Sequence, residues 1–199
     1  SVQVTLQGAR PRAAVIVTLG LTAGDGAARR VRAGPFDAVH HGDALRWIRF
    51  DGVEILRSIQ LTARDRTWGT VEPVIEDVHL TREASSFSVN FRARYDGPDL
   101  GMLCDVEFRA GSEEVTASLE CRATRPTCHQ RFGLMILHPP ELAGRSLVAA
   151  TPTGAVDVVV PTRISGDTIC TDVEQLAWEP AVGYQARLRF EGSLWEMED

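Results

Sequence analysis

Apolar and polar residues alternate at every second position through most of the chain. Phe87, Val89, Phe91 and Ala93 alternate with polar neighbours, and Met102, Cys104, Val106 and Phe108 repeat the pattern. Val115, Ala117, Leu119 and Cys121 continue it, and Tyr184, Ala186, Leu188 and Phe190 restate it near the end. Successive side chains of a strand point to opposite faces, so each series sets one face on a core and the other in water. Turn residues punctuate these runs. Asp51-Gly52 separates the apolar runs 45–50 and 53–56. This dipeptide suits a type I′ hairpin, which needs positive φ at both positions. Ala110-Gly111-Ser112 reads as a second hairpin, and Asp96-Gly97-Pro98 and His138-Pro139-Pro140 as loops. Strand signals recur every ~8–12 residues, which predicts an all-β sandwich or barrel of about a dozen strands. Residues 171–178 are expected to hold one short helix. The apolar run 13–21 follows two arginines, which loosely resembles a leader segment, but Val15, Ile16 and Val17 suit a buried strand equally well. No internal repeat or linker interrupts the pattern, so a single domain is predicted over 1–199.

Composition narrows the function. The 199 residues suffice for one large β domain with a buried core. A net charge of -6 argues against a nucleic-acid partner. No apolar run reaches the length of a membrane-spanning helix, so no membrane partner is expected. All 21 basic residues are arginine. The absence of lysine excludes Schiff-base and phosphate-loop lysine chemistry from this chain. Cys104, Cys121, Cys128 and Cys170 match no zinc or redox spacing and read as free thiols of a reducing cytoplasm. Cys128-His129 offers two donor types without further ligands in a motif. His40 and His41 would face opposite sides of a strand and read, with the other histidines, as surface or edge residues. There is no nucleophile elbow, no glycine-rich phosphate loop and no zinc-protease motif.

Three segments carry candidate chemistry. In Arg64-Asp65-Arg66-Thr67-Trp68-Gly69, two arginines flank a carboxylate and an indole follows. Arginine forks bind carboxylates, and tryptophan stacks on sugar faces or on arginine. The bland reading pairs Asp65 with an arginine and plugs Trp68 into the core. The second segment, Phe190 to Asp199, holds Trp195 beside Glu196 and Glu198, which share a face if they lie in a strand. Paired carboxylates serve acid–base catalysis or hold a cation, or else form a solvated acidic strand end. The third, Arg131-Phe132-Gly133-Leu134-Met135-Ile136-Leu137-His138, reads as a strand emerging at His138.

Together these segments resemble the D-apionate lactonase family of bacterial sugar catabolism. The resembling residues are Ala33-Gly34-Pro35, Leu45-Arg46-Trp47-Ile48-Arg49-Phe50 with Gly52, Glu54 and Arg57, and Arg64-Asp65-Arg66 with Trp68-Gly69-Thr70. Arg131-Phe132-Gly133, Leu137-His138-Pro139, Phe190-Glu191-Gly192 and Glu196-Met197-Glu198-Asp199 complete the ordered set. The resemblance implies a large antiparallel β-sandwich of the galactose-mutarotase-like supersandwich type. It implies that this chain is the N-terminal part of a longer protein, partnered by a C-terminal catalytic domain, that hydrolyses D-apionolactone to D-apionate. The segment 161–172 departs from the family's proline-rich pattern.

On this reading Glu196, Glu198 and His138 are the catalytic candidates. Arg64, Asp65, Arg66, Trp68, Arg131 and Trp195 are the candidates for binding a sugar acid or lactone. Lactone opening needs an activated water, a stabilised oxyanion and a proton for the leaving alkoxide. No cofactor is implied by the chain. A divalent metal would need ligands outside it, with Asp199 as a contributing carboxylate. Two further readings compete: a non-catalytic carbohydrate-binding sandwich using Trp47, Trp68, Trp178 and Trp195 as platforms, and a small mutarotase- or epimerase-like enzyme pairing His138 with Glu196 or Glu198.

Overall fold

The computed structural model describes residues 2–8, 28–192 and 195–198. The apolar run 13–21, with its expected strand at 15–17, lies outside the described residues, as does Asp199.

Alternation dictates the architecture. Sixteen strands form among the described residues, and every pairing between them is antiparallel. The larger sheet has nine strands. From one edge to the other they are β12 (Gly154–Val159), β11 (Ser146–Thr151), β14 (Gln175–Trp178), β15 (Tyr184–Phe190), β1 (Val2–Gly8), β9 (Glu114–Ala123), β8 (Gly101–Ala110), β7 (Phe87–Asp96) and β6 (Val74–Arg82). The second sheet has five strands in the order β10 (His129–Leu137), β5 (Val53–Asp65), β4 (Ala44–Phe50), β3 (Phe36–His41) and β2 (Arg29–Ala33). A small third sheet pairs β13 (Thr168–Cys170) with β16 (Met197–Glu198).

The two large sheets close on one core, so the fold is a β-sandwich. Phe87, Val89, Phe91, Ala93 and Tyr95 of β7 are buried, as are Cys104, Val106, Phe108 and Ala110 of β8. Against them pack Phe36, Ala38, Leu45, Ile59, Leu61 and Ala63 of the five-stranded sheet. Aromatic contacts cross the interface: Tyr95 meets Phe132 edge-on at 5.3 Å, and Phe50 meets Tyr184 at 6.3 Å. The Asp51-Gly52 hairpin forms as expected, with φ of 49° and 82°, and joins Phe50 to its partner Val53. The Gly111 hairpin likewise closes with Gly111 N–H donating to the Glu114 carbonyl at 2.9 Å.

Three expectations are corrected. The segment 171–178 is not helical. Leu176 and Trp178 are buried at a period of two, and β14 is paired on both sides, to β11 and β15. Tertiary pairing overrides its local preference. The described helical content is one 3-10 turn, Pro140–Leu142. The cysteines are not all free. Cys104 and Cys121 stand opposite each other on β8 and β9, with Cα atoms 4.2 Å apart, and are joined as a disulfide. Cys128 and Cys170 are free thiols. The inference from four free thiols to a reducing cytoplasm therefore fails. His40 is not a surface residue either. It is 4% exposed, against Phe91 and Phe108 at 5.8 and 6.3 Å, whereas His41 faces solvent.

Burial, aided by the nearby Arg29 charge, lowers the His40 pKa to about 4, and its Nε2 has no partner. The folded pKa lies below the unfolded value, so the unfolded chain binds the extra proton between the two. Stability is therefore full above about pH 6.5 and falls as pH drops towards 4, by at most about 3 kcal/mol. Denaturant titrations across this window will show the decline in the native chain and a shallower one in His40→Gln. The disulfide closes a loop of sequence separation 17. Removing it with Cys104→Ala and Cys121→Ala is expected to cost ~2–3 kcal/mol. Alkylation of the native chain will label Cys128 and Cys170, and all four cysteines only after reduction and unfolding.

Candidate functional site

The antiparallel pairing of β5 with β10 builds the site. Its register sets Phe132 beside Ala63, Leu134 beside Leu61 and Ile136 beside Ile59, all turned to the core. The intervening positions face the other way, so Arg64 and Arg131 stand side by side on the opposite surface. At this end β5 runs into the loop 66–69, which folds around Asp65. Its Oδ1 accepts hydrogen bonds from Thr67 N–H, Thr67 Oγ1 and Gly69 N–H, each at 2.8 Å. These bonds, the Thr67 hydroxyl first, hold the Asp65 carboxyl below the usual carboxylate range. A Cβ at Gly69 would lie 2.6 Å from Asp65 Oδ2, so a larger residue there would force the Asp65 carboxylate to shift. Asp65 thus organises the loop and pairs with no arginine among the described residues.

The loop turns Trp68 outward. It adopts a φ of 67° and is 57% exposed, so it is a platform and not a core plug. The Arg131 guanidinium lies 5.9 Å from its ring centroid, in cation–π range. Arg131 also grips the far end of the chain: Nη1 donates to Glu196 and Nη2 to Glu198. Glu196 and Glu198 therefore share one side, as their spacing suggests. These contacts raise the Arg131 pKa, the Glu196 hydrogen bond most of all, and keep the group charged. Arg66 pairs with Asp99 at 3.0 Å. Arg64 donates to the Thr70 hydroxyl and has no carboxylate partner among the described residues.

Two candidates stand apart from this end. His138 follows the other end of β10, seven residues beyond Arg131, or about 23 Å along an extended strand. Its ring packs edge-on against Trp178 at 5.1 Å, and its Nδ1 is enclosed without a partner. Burial lowers its pKa to about 4, so it is neutral at neutral pH. The pairing of His138 with Glu196 or Glu198 does not form. Trp195 stacks on Phe190 at 4.6 Å with its Nε1 enclosed, and Trp178 is 3% exposed. Of the four tryptophans only Trp47, 40% exposed, and Trp68 present open rings. Among the described residues no group of three or more His, Cys, Asp and Glu side chains could hold a metal ion. Two contributors escaped sequence reasoning, Thr70 and Asp99. The first sits six residues from Arg64, across a loop whose closure only Asp65 and Gly69 signal.

Fold and site define a β-sandwich domain with an arginine-rich, indole-bearing end. The chain belongs to the D-apionate lactonase N-terminal domain family, whose sequence pattern matches residues 17–199. It is similar to a D-apionate lactonase of Brucella anthropi, with 36% identity over 160 residues. That match covers 78% of this chain and 26% of the relative, so the chain spans about a quarter of the relative's length. No solved structure matches the chain.

Arg131 is the tie between β10 and the β13–β16 pair. Its side chain is 37% exposed, so solvent screening limits each ion pair to ~0–1 kcal/mol. Arg131→Ala is expected to lower global stability by about 1 kcal/mol at most. It will accelerate amide exchange at Met197 and Cys170, while the β7–β8 amides keep their protection.

Proposed function

We propose that this chain is the N-terminal β-sandwich of a sugar-acid lactone hydrolase that opens D-apionolactone to D-apionate. The supporting observation is the family match over residues 17–199, joined to the lactonase relative at 36% identity. The setting this reading implies is bacterial carbohydrate catabolism, in a protein whose larger catalytic part follows this domain.

The geometry favours a binding role for the chain's own residues. Glu196 and Glu198 are both engaged by Arg131, and His138 lies at the far end of β10. The two carboxylates are thus committed to a guanidinium, and the His138 Nδ1 is enclosed without a partner. Arg64 differs: its guanidinium donates to the Thr70 hydroxyl and meets no carboxylate among the described residues, and its strand neighbour Arg131 lies 5.9 Å from the exposed Trp68 ring. Opening a lactone converts a neutral carbonyl, through an oxyanion, into a carboxylate. An uncommitted guanidinium suits that developing charge, and an indole suits the sugar carbons. Arg64 and Trp68 therefore orient the ligand, while water activation and protonation of the leaving alkoxide fall to the remainder of the enzyme.

The test uses the full-length enzyme. Arg64→Ala is expected to weaken kcat/KM for the lactone and inhibition by the product carboxylate by about tenfold, with Arg64→Lys recovering part of each. Unchanged kinetics would remove Arg64 from the ligand path. An enzyme inert towards a panel of aldonolactones would overturn the lactonase reading itself.

A further inference from the structure

A cavity of about 310 Å³ opens on the outer face of the nine-stranded sheet, between the β6–β7 and β8–β9 turns. It lies far from the arginine cluster. The Asp96 end of β7 approaches that cluster through the Arg66–Asp99 pair, whereas its Phe87 end borders the cavity, about 30 Å away along the strand. Strand register explains what lines it. Thr81 is opposite Ser88, Ser88 opposite Arg109, and Arg109 opposite Thr116. The row continues through Gln3, Arg189 and Gln175. Four polar side chains thus project from one face at the strand spacing of ~4.8 Å, comparable to the separation of hydroxyls across a sugar ring.

Their hydrogen-bonding capacity is largely unused. No hydrogen bond engages the side chain of Thr81 or Thr116 among the described residues, and Ser88 Oγ accepts only a long bond from Asn90 at 3.4 Å. Two carboxylates flank the row. Glu83 accepts from Ser86 at 3.0 Å and Glu114 accepts from Gln3, which leaves each with spare acceptor capacity. Arg109 donates to Glu107 at 2.8 Å and retains further donors. The lining therefore holds two negative charges against one positive, which disfavours an anionic ligand. Its volume sits at the small end of ligand pockets, about 300–1,000 Å³. Hydroxyls, carboxylates and a guanidinium around a space of one ring are the chemistry of polyol recognition. We propose that this cavity binds a neutral polyhydroxylated ring of monosaccharide size, at a site separate from Arg64 and Trp68.

The proposal is independent of the lactonase reading, since it concerns binding at the opposite end of the sandwich. The chain, labelled with 15N, is titrated with D-xylose as the neutral probe and D-glucuronate as its charged counterpart. Saturable shifts are expected at the amides of Ser88, Arg109 and Thr116 with D-xylose, and at least about tenfold weaker binding of D-glucuronate. Thr116→Val and Thr81→Val will each weaken D-xylose binding severalfold and together by about tenfold, while Arg64→Ala leaves it unchanged. The exposed position of Thr81 on β6 makes its variant safe for folding. Absence of saturation at these amides, equal affinity for both probes, or shifts confined to 64–69 would overturn the proposal.

Discussion

The register between β5 and β10 governs much of this molecule. One set of paired positions, Ala63 with Phe132 and Leu61 with Leu134, completes the edge of the core. The alternate set stands Arg64 beside Arg131 on the other surface. Because side chains alternate with a period of two, a slip of β10 by one residue would turn Arg131 inward and expose Phe132, Leu134 and Ile136. Burial of a guanidinium without a partner costs far more than any surface contact returns. Core packing therefore fixes the position of the arginine cluster, and the cluster in turn reaches out to hold β16 through Glu196 and Glu198.

Much of this was legible in the chain. The alternating series around Phe91, Val106, Ala117 and Leu188 became strands with the anticipated inward faces, and the Asp51-Gly52 turn formed with positive φ at both residues. Local patterns failed where a partner distant in sequence decides. The 171–178 segment is a strand because β11 and β15 flank it. The disulfide escaped notice because cysteine spacing alone carries no register. The Gly111 hairpin supplies it, since the pairing of Phe108 with Ala117 places Cys104 directly against Cys121. The burial of His40 against Phe91 and Phe108 is not legible in the chain, because a strand pattern gives a residue's side and not what the facing sheet presents to it.

The candidate site divides along the same line. The chemical types were readable from Arg64 to Trp68, at Arg131, and at Glu196 and Glu198, and the structure gathers them at one end. Their commitments were not readable. Arg131 and Arg66 are neutralised by carboxylates, and Asp65 serves its own loop. Arg64 meets the Thr70 hydroxyl and no carboxylate among the described residues, and Trp68 stays exposed. His138 drops out because a strand carries its two ends far apart, a separation that its place in one continuous motif concealed.

The bridge between Cys104 and Cys121 joins two strands that already neighbour each other through a short turn. Under tension this changes the molecule's extensibility. Once β8 and β9 are peeled from their neighbours, the chain between the two cysteines cannot lengthen, and a separation of 17 residues stays shut. That withholds about 60 Å of contour from the stretched polypeptide. The β8–β9 hairpin inside the larger sheet is thus a mechanical stop, and thiol reduction would return the hidden length.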